Sequence, residues 1–176
     1  MAYGVVRTDL LKKTNRLYSL KHDTLEFENG SAVVVGKYLP GKREVRQALV
    51  PTADHVATAS IALVDAPVVN YEEQRSTDAA LENFTNVAGL AFRSRELVVG
   101  DIFSISPDRL DGDATEDAVV TAKAGSTQFQ IAESEEGAKF VGRVVGKEKF
   151  GTQAYVGQAG AVGRVTELVV IEVVSN

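Results

Sequence analysis

The chain has 176 residues, a formal net charge of −5, 44% hydrophobic and 24% charged residues, no Cys, no Trp and only two His. That length fits one domain, or one domain with an arm, and the composition excludes wholesale disorder. Lack of Cys excludes a disulfide framework and speaks against structural zinc, while the acidic balance speaks against a nucleic-acid partner, which requires a basic face.

The opening Met1-Ala2-Tyr3-Gly4 lacks the basic-then-apolar layout of a signal peptide, and no apolar run reaches the length of a membrane span. Synthesis in the cytoplasm, with no membrane partner, is therefore expected. Residues 1–20 differ from the rest and read as an N-terminal arm or a first strand, leaving 21–176 as a single β-rich domain. In this opening segment Val5, Val6, Leu10 and Leu11 are apolar, and the basic, polar Lys12 to Arg16 follows.

Asn29-Gly30-Ser31 is a turn signal, and Ala32 to Leu39 after it has the length and β-branching of a strand. Pro40-Gly41 closes that strand, Glu44 to Val50 reads as its hairpin partner, and Pro51 ends the partner because proline has no N–H for a ladder. Ser60 to Val64 and Pro67 to Tyr71 are two further short apolar runs. The helix is predicted between Tyr71 and Thr85, capped by Ser76 or Thr77, with Ala79, Ala80, Leu81 and Phe84 on its apolar face. Val87 to Val99 leads through Gly100-Asp101 to the strand Ile102 to Ser106, and Pro107 to Asp117 reads as an exposed acidic loop.

Beyond it, Ala118 to Ala122, Thr127 to Ile131, Lys139 to Val145, Thr152 to Val156 and Val162 to Val174 read as successive strands. Thr127 to Ile131 alternates, so one face is buried and one wet. In the last strand both parities are mostly apolar, which fits a strand covered on both sides or paired at a subunit contact. Closely spaced strands with Gly or acidic turns predict a mainly β fold: an antiparallel barrel or sandwich with one or two short helices.

Few residues point to chemistry. Asp108, Asp111, Asp113, Glu116 and Asp117 do not match EF-hand spacing and read as a solvated loop. Gly157, Gly160 and Gly163 lack a following Gly-Lys-Ser/Thr, so a hairpin or crossover connection is favoured over a phosphate loop. His22 and His55 each have an adjacent Asp, but sequence neighbours do not usually form a triad and no Gly-x-Ser-x-Gly elbow is present. Both read as surface histidines. The expectation is no catalytic residue, no metal and no cofactor. The five Tyr and seven Phe do not interleave with a basic run that would make a single-strand stacking platform.

The opening Met1 to Leu11, the Asn-Gly-Ser-x-Val-x-Val-Gly strand at Asn29 to Gly36 and the Gly-Asp-x-Phe-Ser strand at Gly100 to Ser104 resemble a family. It comprises auxiliary head structural proteins, of the capsid decoration or head-fibre type, of tailed bacteriophages of Gram-positive hosts. The resemblance runs over most of the chain and rests on turns and strands. It implies a virion structural protein at the capsid surface, with the major capsid protein and further copies of itself as partners, a homotrimer included. Extended arms bind shells by adding a strand to an exposed edge, and a lattice turns weak contacts into avidity. On that ground Val5, Val6, Leu10 and Leu11 are expected as apolar contacts to capsid or neighbouring subunit, with Arg7 as a polar clamp. Two other classes fit the residues: a receptor- or carbohydrate-binding β module, and a small hydrolase using Asp111 or Asp113 with Glu116.

Overall fold

The computed structural model describes the backbone of residues 4–12, 14–68, 84–155 and 161–176, and their side chains apart from 152–155 and 161–164. Among the described residues the fold is mainly β, with two sheets packed together and one short α-helix. Five strands close a barrel: β2 (Leu17–Lys21), β3 (Ala32–Tyr38), β4 (Val45–Leu49), β5 (Ile61–Val64) and β6 (Ala91–Glu96), in the order β2-β4-β3-β5-β6. The other strands form a seven-stranded sheet. They are β1 (Val6–Arg7), β7 (Ile102–Ile105), β8 (Leu110–Asp111), β9 (Val119–Ala122), β10 (Phe129–Ala132), β11 (Val141–Tyr155) and β12 (Ala161–Ser175), in the order β1-β7-β12-β11-β9-β10-β8. Pairing is antiparallel except between β2 and β4 and between β8 and β10.

The apolar runs of β3 and β5 have a specific cause. Side chains alternate along a strand, so a strand facing two cores is apolar at both parities. Val33, Ala62 and Val64 fill the barrel with Leu20, Phe27, Ala48 and Phe92. Their neighbours Ala32, Val34, Ile61 and Leu63 face the other way, into a larger core with Phe103, Phe129, Phe140 and Ile171 of the sheet side. Tilted aromatic pairs tighten both cores: the ring centres of Phe27 and Phe92 lie 5.1 Å apart in the barrel, and those of Phe129 and Phe140 lie 5.3 Å apart against the sheet. Two adjacent strands, β3 and β5, thus form one wall shared by both hydrophobic cores.

Several predicted elements take a different form. The segments predicted as separate strands at Lys139 to Val145 and Thr152 to Val156 join into the single strand β11, because Gly146 to Gly151 continues the ladder with β12. In β12 Leu168, Val169, Ile171 and Val173 are buried, Val170 is half-buried and Val174 is exposed, so over its last turns one face is covered and the other is wet. Most of the helix predicted at Tyr71 to Thr85, and most of the run Pro67 to Tyr71, lie outside the described residues. Among the described residues the α-helix is α1 (Ala53–Thr58), which follows Pro51 and is closed by a capping box: the Thr52 hydroxyl accepts from the His55 N–H, and His55 Nδ1 accepts from the Thr52 N–H. Among the described residues no helix is long and apolar enough to cross a membrane.

Because both cores share β3 and β5, Leu63→Ala is expected to weaken the whole molecule by about 2–5 kcal/mol, the usual range for such a core truncation. Urea unfolding followed by far-ultraviolet circular dichroism and by tyrosine fluorescence should remain one coincident transition for both proteins. Separation of the two probes would mean that barrel and sheet unfold independently.

Candidate assembly surface

The N-terminal segment starts from a glycine that has no alternative. A Cβ on Gly4 would lie 2.0 Å from the carbonyl oxygen of Asn29 and 2.8 Å from Arg109 Cδ. This close approach lets the chain pass between the barrel loop at Asn29 and the turn after β7. Gly4 N–H donates to Glu28 Oε2, which also receives Arg109 Nη2 at 2.8 Å. Next, Val5 N–H donates to Ser106 Oγ and Val5 carbonyl accepts from Ser106 N–H, both at 2.9 Å. Val6 and Arg7 then pair with Ile105 and Ser104 as the edge strand β1.

A buried carboxylate holds the far end of the same segment. Asp101 is fully buried and accepts from the backbone N–H of Lys12, the amide of Asn15 and the backbone N–H of Val98. Lys12 Nζ donates in addition to the carbonyl of Val99 at 2.7 Å. The segment is thus an edge strand tied down at both ends.

The predicted contact residues divide accordingly. Val5 and Leu11 are buried, Leu11 in the shared core, so neither is available as an external anchor. Val6 packs partly against that core. Leu10 is 62% exposed. Arg7 reaches sideways, with Nη1 2.8 Å from Glu148 Oε2 and Nη2 2.8 Å from Asp9 Oδ2. Its guanidinium is held above its ordinary pKa, chiefly by the hydrogen bond to Asp9 and then by the charge of Glu148.

Glu148 marks the root of a projecting ribbon. The strand β11 pairs with β9 only at Gly142 and Arg143, and β12 pairs with β7 only from Val169 to Glu172. From Gly146 to Tyr155 on one side, and from Ala161 to Leu168 on the other, the strands pair only with each other among the described residues. At about 3.3 Å per strand residue the ribbon extends on the order of 30 Å beyond its root. It carries apolar surface on opposite faces: Phe150, opposite Thr166, is 37% exposed, and Val165, one position along, is 52% exposed. A break in register between Val144 and Gly146 sits where the ribbon leaves the sheet, a common place for a bulge to re-aim a strand.

The residues considered for chemistry have local structural roles. His22 Nδ1 accepts the N–H of Thr24 and of Leu25, and its ring lies 5.8 Å from Phe27. His55 closes the cap of α1. In the acidic loop Asp111 pairs with Lys123 and Asp108 with Arg109, and Asp113, Glu116 and Asp117 are exposed to solvent. Among the described residues no three His, Cys, Asp or Glu side chains converge. Gly157 and Gly160 lie outside the described residues, and Gly163 is part of β12. Sequence reasoning missed the buried Asp65, whose carboxylate receives Arg93 Nε at 2.8 Å and Arg95 Nε at 3.1 Å. Asp65 lies 28 and 30 residues from the two arginines, and the β5–β6 pairing brings them together.

Asp101→Ala leaves two backbone N–H groups and the Asn15 amide without their acceptor, so a loss of at least about 3 kcal/mol is expected in urea denaturation. Arg7→Ala removes an exposed pair with Asp9 and a part-buried pair with Glu148, and is expected to lower the urea midpoint far less than Asp101→Ala. Equal effects of the two would contradict the assignment of Asp101 as the anchor of the segment.

Comparison with known proteins finds no matching family model, no matching curated protein and no matching solved structure.

Proposed function

We propose that this protein is a virion structural component that binds the surface of a capsid as a decoration or cement protein and performs no catalysis. The observation that carries the reading is the β11–β12 ribbon. A two-stranded hairpin is marginally stable in water by itself, and an open strand edge is a template for pairing with another chain. Among the described residues this ribbon has two open edges and exposed Phe150 and Val165, yet it is rooted in a well-packed body through Val169, Ile171 and the Arg7–Glu148 pair. A partner that adds strands to its edges and covers its apolar residues completes it.

The resemblance to auxiliary head proteins of tailed bacteriophages supports the same reading and names the partner class, the major capsid protein. In this reading Arg7 stands at the ribbon root, where it pairs with Glu148, the exposed Leu10 lies at the rim of the contact, and Val6 contributes through the open edge of β1. Val5 and Leu11 serve the interior. Further copies of the chain on the lattice add avidity, since many weak contacts repeated over a symmetric shell act together.

The test is a shortened variant in which residues 150–166 are replaced by Asn-Gly. Lys149 and Glu167 face each other across the ladder, so a two-residue turn closes them without changing register. The expected outcome is a folded protein with near-native thermal stability that no longer co-sediments with empty capsids, whereas the full chain does. Undiminished occupancy by the shortened variant, or no occupancy by the full chain, would overturn the reading.

A further inference from the structure

The ribbon is not the only feature without an explanation inside the chain. Beside β2 lies an open groove of about 540 Å³. Its lining gathers Arg16, Arg43, Arg46 and Arg93 with Tyr18 and Tyr38, and Glu44 is its single acidic residue. Four of the 19 basic residues of a net-acidic chain therefore meet at one place.

Three of these arginines are available. Arg93 is committed to Asp65, but Arg16, Arg43 and Arg46 form no ion pair among the described residues. Arg16 and Arg46 both lie over the Tyr18 ring, at 5.6 and 5.8 Å, and Arg46 also lies 4.9 Å from the centre of Tyr38. Arg46 donates Nε to the carbonyl of Gly36, which fixes the plane of its guanidinium and leaves its two terminal nitrogens without a protein acceptor among the described residues. Stacking on a ring holds a guanidinium flat while leaving its N–H edge free, the geometry that takes a carboxylate or phosphate in bidentate fashion. Clustered like charges repel, and an anionic occupant relieves that repulsion.

The nature of the occupant follows from the rest of the surface. A long polyanion would have to run past a protein that carries 24 acidic residues against 19 basic ones, whereas a short acidic turn needs only the groove. The chain itself presents such a turn. Glu133, Ser134, Glu135 and Glu136, between β10 and β11, are all exposed. Glu135 pairs with Arg143, while Glu133 and Glu136 have no basic partner among the described residues. In the other acidic segment Asp108 and Asp111 are already paired, and the exposed Asp113, Glu116 and Asp117 are spread over five residues, whereas the Glu133–Glu136 turn gathers three carboxylates within four.

We propose that the arginine–tyrosine groove binds the Glu133–Glu136 turn of a second copy of this chain. The contact is head-to-tail, since groove and turn are different surfaces on opposite sheets, and it propagates from copy to copy unless the rotation closes a ring. It stands independently of any capsid contact.

A charge-swap experiment in solution tests it. Sedimentation velocity of the full chain should show concentration-dependent self-association that weakens as salt is raised from about 0.05 to 0.5 M, because the charges are exposed and screened. Arg16→Glu with Arg43→Glu should weaken association at least about tenfold, and so should Glu133→Arg with Glu136→Arg, with melting temperatures near that of the parent because all four side chains are exposed. Mixing the two double variants should restore association, since each then offers the other an opposite charge. A wild-type chain that stays monomeric, or variants that associate alone or fail to rescue each other, would overturn the proposal. Tight binding of a single-stranded oligonucleotide by the parent chain, abolished by Arg16→Glu with Arg43→Glu, would do the same and reassign the groove to phosphate.

Discussion

Everything else in the molecule hangs on two strands that are buried on both faces. β3 and β5 pair through Ala32–Leu63, Val33–Ala62 and Val34–Ile61, and each pair sends its side chains alternately into the barrel and into the core under the seven-stranded sheet. A one-residue slip in this ladder exchanges the contents of the two cores, placing Val33 and Ala62 where Ala32 and Leu63 belong. Volume mismatch in two cores at once makes such a slip far more costly than in a one-faced sheet. Register is therefore fixed from both sides, and barrel and sheet form one body.

That body holds the less regular parts in place. The N-terminal segment crosses from the barrel loop at Asn29 to the sheet edge, and it is fastened at Gly4, at Ser106 and at the buried Asp101. At the opposite end of the chain the Asn176 side chain accepts the N–H of Ile61 and donates to the carbonyls of Ile61 and Leu97, clipping the end of β12 to the shared wall. With both flanking segments of the sheet secured, β11 and β12 leave the body as a ribbon whose base is rigid. A rigid base matters for attachment, because ordering a loose arm on binding consumes much of the gain from burying its side chains.

Much of the fold was legible because its dominant signals are local. The continuous apolar runs at Ala32–Val35 and Ile61–Val64, the Asn29-Gly30 turn and the stop at Pro51 each read directly as strand or turn. The short helix was missed since its signal is only a Thr52 cap and six residues without a buried member, too few for any period to appear. The strand β11 was read as two, Lys139 to Val145 and Thr152 to Val156, because the charged, glycine-flanked Gly146 to Gly151 breaks the apolar pattern; long-range pairing with Val165 to Val170 overrides that local preference. The opening segment was ambiguous for a physical reason. Apolar residues at 5, 6, 10 and 11 serve a docking arm or an edge strand equally, and only the partners of Gly4 and Asp101 distinguish them. The arginine groove was invisible in a net-acidic sequence, because its members come from three separate stretches of chain that meet only when the barrel closes.

We therefore propose a division of labour between a two-core body and a ribbon that a partner completes. Hydrogen–deuterium exchange, measured on the free protein and on protein bound to empty capsids, tests this directly, because local opening reports how firmly each element is held. The account predicts that the amides of Val33, Ala62 and Leu63 exchange slowest in both states. The amides of Glu148 to Gly151 and Val165 to Glu167 should exchange readily in the free protein and become protected on the shell. Ribbon amides as protected as the wall in the free protein, and unchanged on the shell, would contradict it.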